Sequence, residues 1–96
     1  MVKKKILIFI ISYKASFRLL DVYKKIPFKK LKKYNISVLF SDDASKDDTI
    51  IFARKIKQQN KNKKIIVKKN KINLGYGGNI KTCLNFSLKK KIDYAI

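Results

Sequence analysis

The run Ile6-Leu7-Ile8-Phe9-Ile10-Ile11 is apolar at every position and mostly β-branched. Neighbouring residues of a strand point to opposite faces, so a strand of this composition has no side to give to water. It must be covered on both faces, which suits the central strand of a parallel sheet with helices packed above and below. Ile36-Ser37-Val38-Leu39-Phe40 gives a second strand, and Ile65-Ile66-Val67 a third and shorter one.

The segments between these runs read as helices. Ser16 can cap a helix over 17–25 that carries Leu19, Leu20, Tyr23 and Ile26 along one face. Pro27 ends it, because the residue before a proline is pushed out of the helical region. The stretch 29–35 is solvated. Ser45, with Asp48 three residues later, resembles a capping box and opens a helix to about residue 60, with Ile50, Ala53 and Ile56 inward and Phe52 flanking. A third helix from about Asn79 is expected to turn Ile80, Cys83, Leu84 and Leu88 inward. Asp93-Tyr94-Ala95-Ile96 looks like the beginning of a fourth strand. The order β-α-β-α-β-α-β predicts an α/β fold with a mostly parallel sheet, right-handed crossovers and helices on both faces. No repeat or second domain is visible in residues 1–96, and the sequence stops inside an element, so truncation at the carboxyl end is expected.

Composition removes several classes of function. The chain has 25 Lys plus Arg against 6 acids, with no Glu and no His, for a formal charge of +19. Such an excess ordinarily points to nucleic acid or an anionic membrane. Here lysine outnumbers arginine 23 to 2 and recurs in every segment. That pattern reads as compositional bias more than as a phosphate-reading surface, where arginine forks are expected. The lone Cys83 excludes an internal disulfide and a cysteine-rich zinc site. Without histidine, a Cys-His or Ser-His nucleophile pair cannot be assembled within these residues. The start Met1-Val2-Lys3-Lys4-Lys5 mimics a signal peptide, but the apolar run after it is six residues long and no small-x-small cleavage pattern follows.

Four of the six carboxylates fall in Ser41-Asp42-Asp43-Ala44-Ser45-Lys46-Asp47-Asp48-Thr49, directly after the second strand. The carboxyl edge of a parallel sheet is where open α/β folds build ligand sites. Asp47 and Asp48 lie in the first turn of the following helix and offset its dipole. No helix requirement explains both Asp42 and Asp43. One can hold the turn by accepting backbone N–H bonds, which leaves the other to accept from a ligand. Tyr13 ends the first strand, so its ring and the Asp43 carboxylate can face one crevice, a pairing that suits a planar base. Gly75-Tyr76-Gly77-Gly78-Asn79 opens a helix, and glycines there let a backbone approach a diphosphate. Lys69 and Lys71 stand nearby.

Together, Ile8-Phe9-Ile10-Ile11-Ser12-Tyr13-Lys14, Val38 to Thr49 and Asn73-Leu74-Gly75-Tyr76-Gly77-Gly78-Asn79 resemble the amino-terminal half of the family 2 glycosyltransferases. The resemblance spans about residues 5 to 96, and the doubled Asp with Ser and Asp-x-Thr is its specific part. It implies a Rossmann-like GT-A domain, here incomplete, of which residues 1–96 are the nucleotide-sugar-binding part. Ser12 and Tyr13 would cradle the base, Asp43 would read a uracil or guanine edge beside Asp42, and Gly75 and Asn79 would border the ribose and diphosphate. The donor would be a UDP-sugar or GDP-sugar and the acceptor a lipid phosphate or glycan, with no specific nucleic acid. The implied setting is cell-envelope polysaccharide synthesis, cytoplasmic and peripheral at the inner membrane face through the lysine-rich surface.

Two departures stand out. Lys14 and Ala15 occupy positions where the family often has Asn and then Glu. The family's metal-binding Asp-x-Asp, which would hold Mg²⁺ or Mn²⁺, ordinarily follows the strand that Asp93 to Ile96 begins, so its ligands are absent from this sequence. The 96 residues alone are accordingly expected to bind nucleotide weakly and to show no turnover. Other classes fit less well. A dinucleotide-binding oxidoreductase needs a glycine-rich turn after the first strand, where Ser12-Tyr13-Lys14-Ala15-Ser16 has none. A response-regulator receiver carries its doubled aspartates after the first strand, not the second. The remaining rival is a non-enzymatic basic module for RNA or anionic membrane.

Overall fold

The computed structural model describes residues 3–13, 18–45 and 49–96. Four strands, β1 (Lys5–Ser12), β2 (Asn35–Asp42), β3 (Lys64–Lys69) and β4 (Tyr94–Ala95), form one sheet in the order β3-β2-β1-β4. All three pairings are parallel, and β1 lies inside between β2 and β4. Three helices alternate with them: α1 (Leu19–Lys24), α2 (Thr49–Gln59) and α3 (Gly75–Lys89). The α/β architecture is therefore the one the apolar runs require.

Strand alternation divides the core into two layers. Ile10, Val38, Phe40 and Ile65 meet Leu19 and Tyr23 of α1 and Ala53 and Ile56 of α2 on one face. Leu7 and Leu39 meet Cys83 of α3 on the other, with Phe9, Ile11, Ile66, Phe86 and Ile92 around them. Leu7, Val38 and Leu39 are fully enclosed. Burying a side chain of this size stabilises the fold by about 1.5–3 kcal/mol. Burial on both faces of β1 and β2 is what their unbroken apolar composition demanded.

Several details differ from the sequence reading. The strands run a residue or two further at most ends, and a 3₁₀ turn, Phe28–Leu31, occupies part of the stretch expected to be solvated loop. Phe28 packs its ring on Tyr23 at 5.7 Å, which gives that turn its anchor. α3 begins at Gly75, four residues before the expected Asn79. Its buried stripe is Asn79, Cys83 and Ser87, while Leu84 and Leu88 face outward. Leu20 and Phe52 are likewise exposed. Ser16 and Phe17, at the expected start of the first helix, and Asp47 and Asp48 lie outside the described residues.

The end of α3 shows why it stops there. Lys91 adopts a left-handed φ of 54°, its N–H donates to the Leu88 carbonyl, and the Ile92 N–H donates to Ser87. This is a Schellman ending, with Ile92 turned into the core as its hydrophobic contact. The chain then enters β4, where the Ile96 N–H donates to Leu7 and the Phe9 N–H to Ile96. No helix among the described residues is long and apolar enough to cross a membrane.

Candidate nucleotide site

At the carboxyl edge of the sheet the pleat decides what each residue of the β2 tip can do. Ser41 falls on the α3 face with Leu39, Asp42 on the opposite face with Phe40, and Asp43 returns to the α3 side. The Asp42 carboxylate accepts from the Ser45 N–H at 3.0 Å and from the Ser45 hydroxyl at 2.7 Å. It closes the turn, in which Ala44 takes a left-handed φ of 62°.

Asp43 reaches the other way, to the start of α3. Its Oδ1 accepts from the Leu74 N–H at 2.8 Å and from Asn70 Nδ2 at 3.0 Å, and its Oδ2 accepts from the Gly75 N–H at 2.9 Å. Burial alone would push this carboxyl up. The hydrogen bonds from Leu74, Asn70 and Gly75 outweigh burial and hold it below the usual carboxylate range. Its own N–H donates to the Ser12 carbonyl at 2.9 Å, which fastens the β2 tip to that of β1.

Asn79 fixes α3 from behind. Its Nδ2 donates to the Ser41 carbonyl at 3.0 Å, and its Oδ1 accepts from the Ser41 hydroxyl at 2.6 Å and from Asn70 at 3.1 Å. The Asn70 N–H in turn donates to the Asp42 carbonyl. Ser41, Asp43, Asn70 and Asn79 thus form one buried polar network, with hydrogen bonds offsetting the cost of enclosing those groups.

In front of this network is a cleft of about 330 Å³ lined by Ile11, Tyr13, Asp43, Asn73, Gly75 and Tyr76. A second, of about 470 Å³, adjoins it through Tyr13 and Asn73 and continues along Ala44 and Ser45 to Lys69 and Lys71. Both are in the size range of small-molecule sites. They sit at the carboxyl edge, unlike the depression between Lys5, Ser37 and Lys90 at the opposite edge. Tyr13 is about half exposed, at 47%, and shares the first cleft with Asp43, so an aromatic ring and a carboxylate do face one space.

The six residues expected from sequence therefore separate into two groups. Tyr13, Asp43 and Gly75 line the cleft. Ser12, Asp42 and Asn79 are buried behind it: Ser12 lends its carbonyl to Asp43, Asp42 holds the turn, and Asn79 clamps α3 to β2. The side-chain atoms of Asp42 and Asn79 hydrogen-bond within the protein, so the part these two residues play at the cleft is to hold its walls. Asn70 and Tyr76 were not singled out from sequence. Asn70 follows a lysine-flanked strand without any local signal, and only the fold brings it against Asp43. Lys14 and Ala15, where the family pattern is broken, lie outside the described residues.

Among the described residues no three His, Cys, Asp or Glu side chains converge as metal ligands. Asp43 in the cleft is committed to the helix start and Asp42 behind it to the turn, so these two carboxylates do not fit Mg²⁺ or Mn²⁺ on their own.

Comparison with known proteins bears on the site as a whole. Residues 8–92 match the family model of Glycosyl transferase family 2. Among solved structures, the chain resembles a mannosyltransferase from Pyrobaculum calidifontis determined in complex with GDP-Man and Mn²⁺, with a TM-score of 0.67 at 17% identity. The similarity covers 88% of this chain and 25% of that one, and at this identity it speaks to fold alone. No curated protein gives a significant match.

Proposed function

This chain belongs to glycosyl transferase family 2, and from that membership we propose that the cleft at the tips of β1 and β2 binds the base of a nucleotide-diphosphate sugar, as the nucleotide-binding part of a sugar transferase. The observation that carries this reading is the shared cleft of Tyr13 and Asp43. The ring offers a face for stacking. Among the described residues Asp43 Oδ2 accepts one hydrogen bond, from the Gly75 N–H, and a carboxylate oxygen can accept a second, from an N–H donor such as that of uracil or guanine. Gly75 lets the wall of the cleft approach closely, and Ser12, Asp42 and Asn79 keep the three contacting residues in register.

The donor class proposed is a UDP-sugar or GDP-sugar, and the acceptor a lipid phosphate or a glycan of the cell envelope. The proposed location is cytoplasmic, peripheral to the inner membrane face, where a lysine-rich surface is drawn to anionic lipid. A divalent cation is proposed for transfer, supplying charge to stabilise the departing diphosphate. Its ligands are not among the described side chains of this cleft.

The test is a titration of the chain with UDP and with GDP, compared with Asp43→Asn, which keeps size but removes charge and one acceptor. Binding of one of the two nucleotides, weakened by roughly 1–3 kcal/mol in the variant, is expected. Circular dichroism shows whether the variant remains folded. Tyr13→Ala, which leaves the α3 cap untouched, provides a second probe and is expected to weaken the same nucleotide. Indifference of nucleotide binding to both substitutions, with steep loss in salt, would instead identify a general polyanion surface.

A further inference from the structure

We infer that Asn70 is a positioning residue for base recognition: its amide fills Oδ1 of Asp43, keeps that carboxylate an acceptor with room left on Oδ2, and so selects bases whose ring nitrogen carries a hydrogen. The inference rests on the nucleotide reading above. The direction of the amide is set by a group that cannot donate. The Ser41 backbone carbonyl only accepts, so the Asn79 side chain must present Nδ2 to it, at 3.0 Å, and turn its Oδ1 the other way. That Oδ1 lies 3.1 Å from the Asn70 side chain, and Asp43 Oδ1 lies 3.0 Å from the same atom, so the atom set between the two acceptors is the donor Nδ2. A reversed amide would put oxygen against two oxygens. The Asn70 N–H donates to the Asp42 carbonyl at 2.8 Å, which fixes the backbone from which the side chain reaches. Both asparagines are buried, where a missing partner is costly.

The consequence falls on Asp43. Burial pushes its carboxyl up, and hydrogen bonds from the Leu74 N–H, the Asn70 amide and the Gly75 N–H more than reverse this. Leu74 and Gly75 contribute backbone groups, and Asn70 is the one side chain of the three. Oδ1 accepts from Leu74 and Asn70, whereas Oδ2 accepts from Gly75 alone among the described residues. Around this carboxylate stand Tyr13 and Tyr76 in the cleft, Asp42 on the opposite face of the strand, and Lys69 and Lys71 on either side of Asn70. An ionised carboxylate has acceptors and no donor. Uracil and guanine bring a ring N–H to it. Cytosine and adenine carry a lone pair at the corresponding ring nitrogen, which would face the lone pairs of the carboxylate.

The experiment titrates UDP, CDP, GDP and ADP into the chain, follows backbone amide resonances, and repeats the series on Asn70→Ala and on Ile56→Val, a core change beneath α2 on the other face of the sheet. The amide spectrum shows whether each variant folds. The chain is expected to favour UDP over CDP, or GDP over ADP, by about tenfold. In Asn70→Ala the favoured nucleotide should lose about tenfold and its competitor no more than about twofold, while the carbon-13 signal of the Asp43 carboxyl titrates at higher pH. Ile56→Val should leave both the preference and that titration in place. Should the alanine variant fail to fold, Asn70→Ser takes its place, because a serine hydroxyl is too short to bridge Asp43 and Asn79. A preference unchanged in the Asn70 variant, an equal loss for both members of a pair, or the same loss in Ile56→Val overturns the positioning role. A chain that takes CDP as well as UDP and ADP as well as GDP overturns it with no variant needed, and leaves the nucleotide reading standing. Failure of all four nucleotides to bind removes that reading and this inference together.

Discussion

Asp42 and Asp43 are adjacent and chemically identical, yet the pleat gives them different partners. Asp42 closes its own turn through Ser45, and Asp43 ties together segments 31 and 32 residues apart through Leu74 and Gly75. That second link makes stability depend on the charge of one carboxylate. Its folded pKa is lowered from an ordinary 3.8, so the unfolded chain binds the proton more tightly than the folded one. The stabilisation is therefore fully present above the ordinary carboxylate value and is lost as pH falls through the depressed one. Urea midpoints measured across the acid range should be flat above about pH 5 and decline below pH 4. Asp43→Asn should flatten that decline while lowering the midpoint near neutrality. An acid limb unchanged by the substitution would assign it to other carboxylates. The doublet itself was legible in the sequence, as was the idea that one member holds the turn. Which member does so follows from strand parity at the β2 tip, and that needed the end of the strand to be placed at Asp42.

At the scale of elements, α3 shows what a sequence read locally cannot supply. Its start has no side-chain cap from Leu74, the residue in the N-cap position. The first N–H groups are satisfied instead by Asp43, far away in the chain, so the helix opens at Gly75 and not where local signals would begin it. Its inward face is also displaced. Asn79 is buried because Ser41 and Asn70 meet its amide, and this turns Leu84 and Leu88 outward. Apolar periodicity assigns a polar residue to solvent, and so the stripe was misread from sequence. The strands were legible for the converse reason: burial on both faces leaves a continuous apolar run that needs no knowledge of partners. The glycines of the turn are likewise distinguished only by structure. Gly75 has a φ of +78°, whereas a Cβ on Gly77 would meet open space and one on Gly78 would come within 2.8 Å of Leu74 Cβ. Gly75→Ala should thus cost about 1–2 kcal/mol from backbone conformation alone. Gly77→Ala should stabilise by about 0.5–1 kcal/mol, since alanine favours a helix interior. Thermal denaturation of the two variants measures both, and similar effects at the two positions would show that the left-handed turn is not what fixes the start of α3.

For the molecule as a whole, the governing quantity is charge density. A formal +19 is carried by a body whose Cα radius of gyration is 13.2 Å. Most lysines are then within one or two Debye lengths of several others at moderate ionic strength, about 10 Å at 0.1 M. Self-repulsion of this kind favours the expanded chain and opposes the hydrophobic layers on either side of β1 and β2. It also makes salt act in opposite directions on folding and on binding. Screening relieves repulsion within the folded body, so added sodium chloride should raise the urea midpoint, by on the order of 1 kcal/mol of stability. The same screening weakens attraction between a chain of this charge and an anionic nucleotide, so nucleotide affinity, on the proposed function, should fall over the range in which stability rises. Folding and binding can be followed on one sample, by tryptophan-free far-ultraviolet circular dichroism and by amide resonances. The gain in stability should level off once the screening length is shorter than the spacing between neighbouring ammonium groups. A midpoint that falls with sodium chloride would mean that favourable ion pairing outweighs repulsion in the folded chain. Charge would then be part of what holds this sheet together, and the apolar layers would not be working against it.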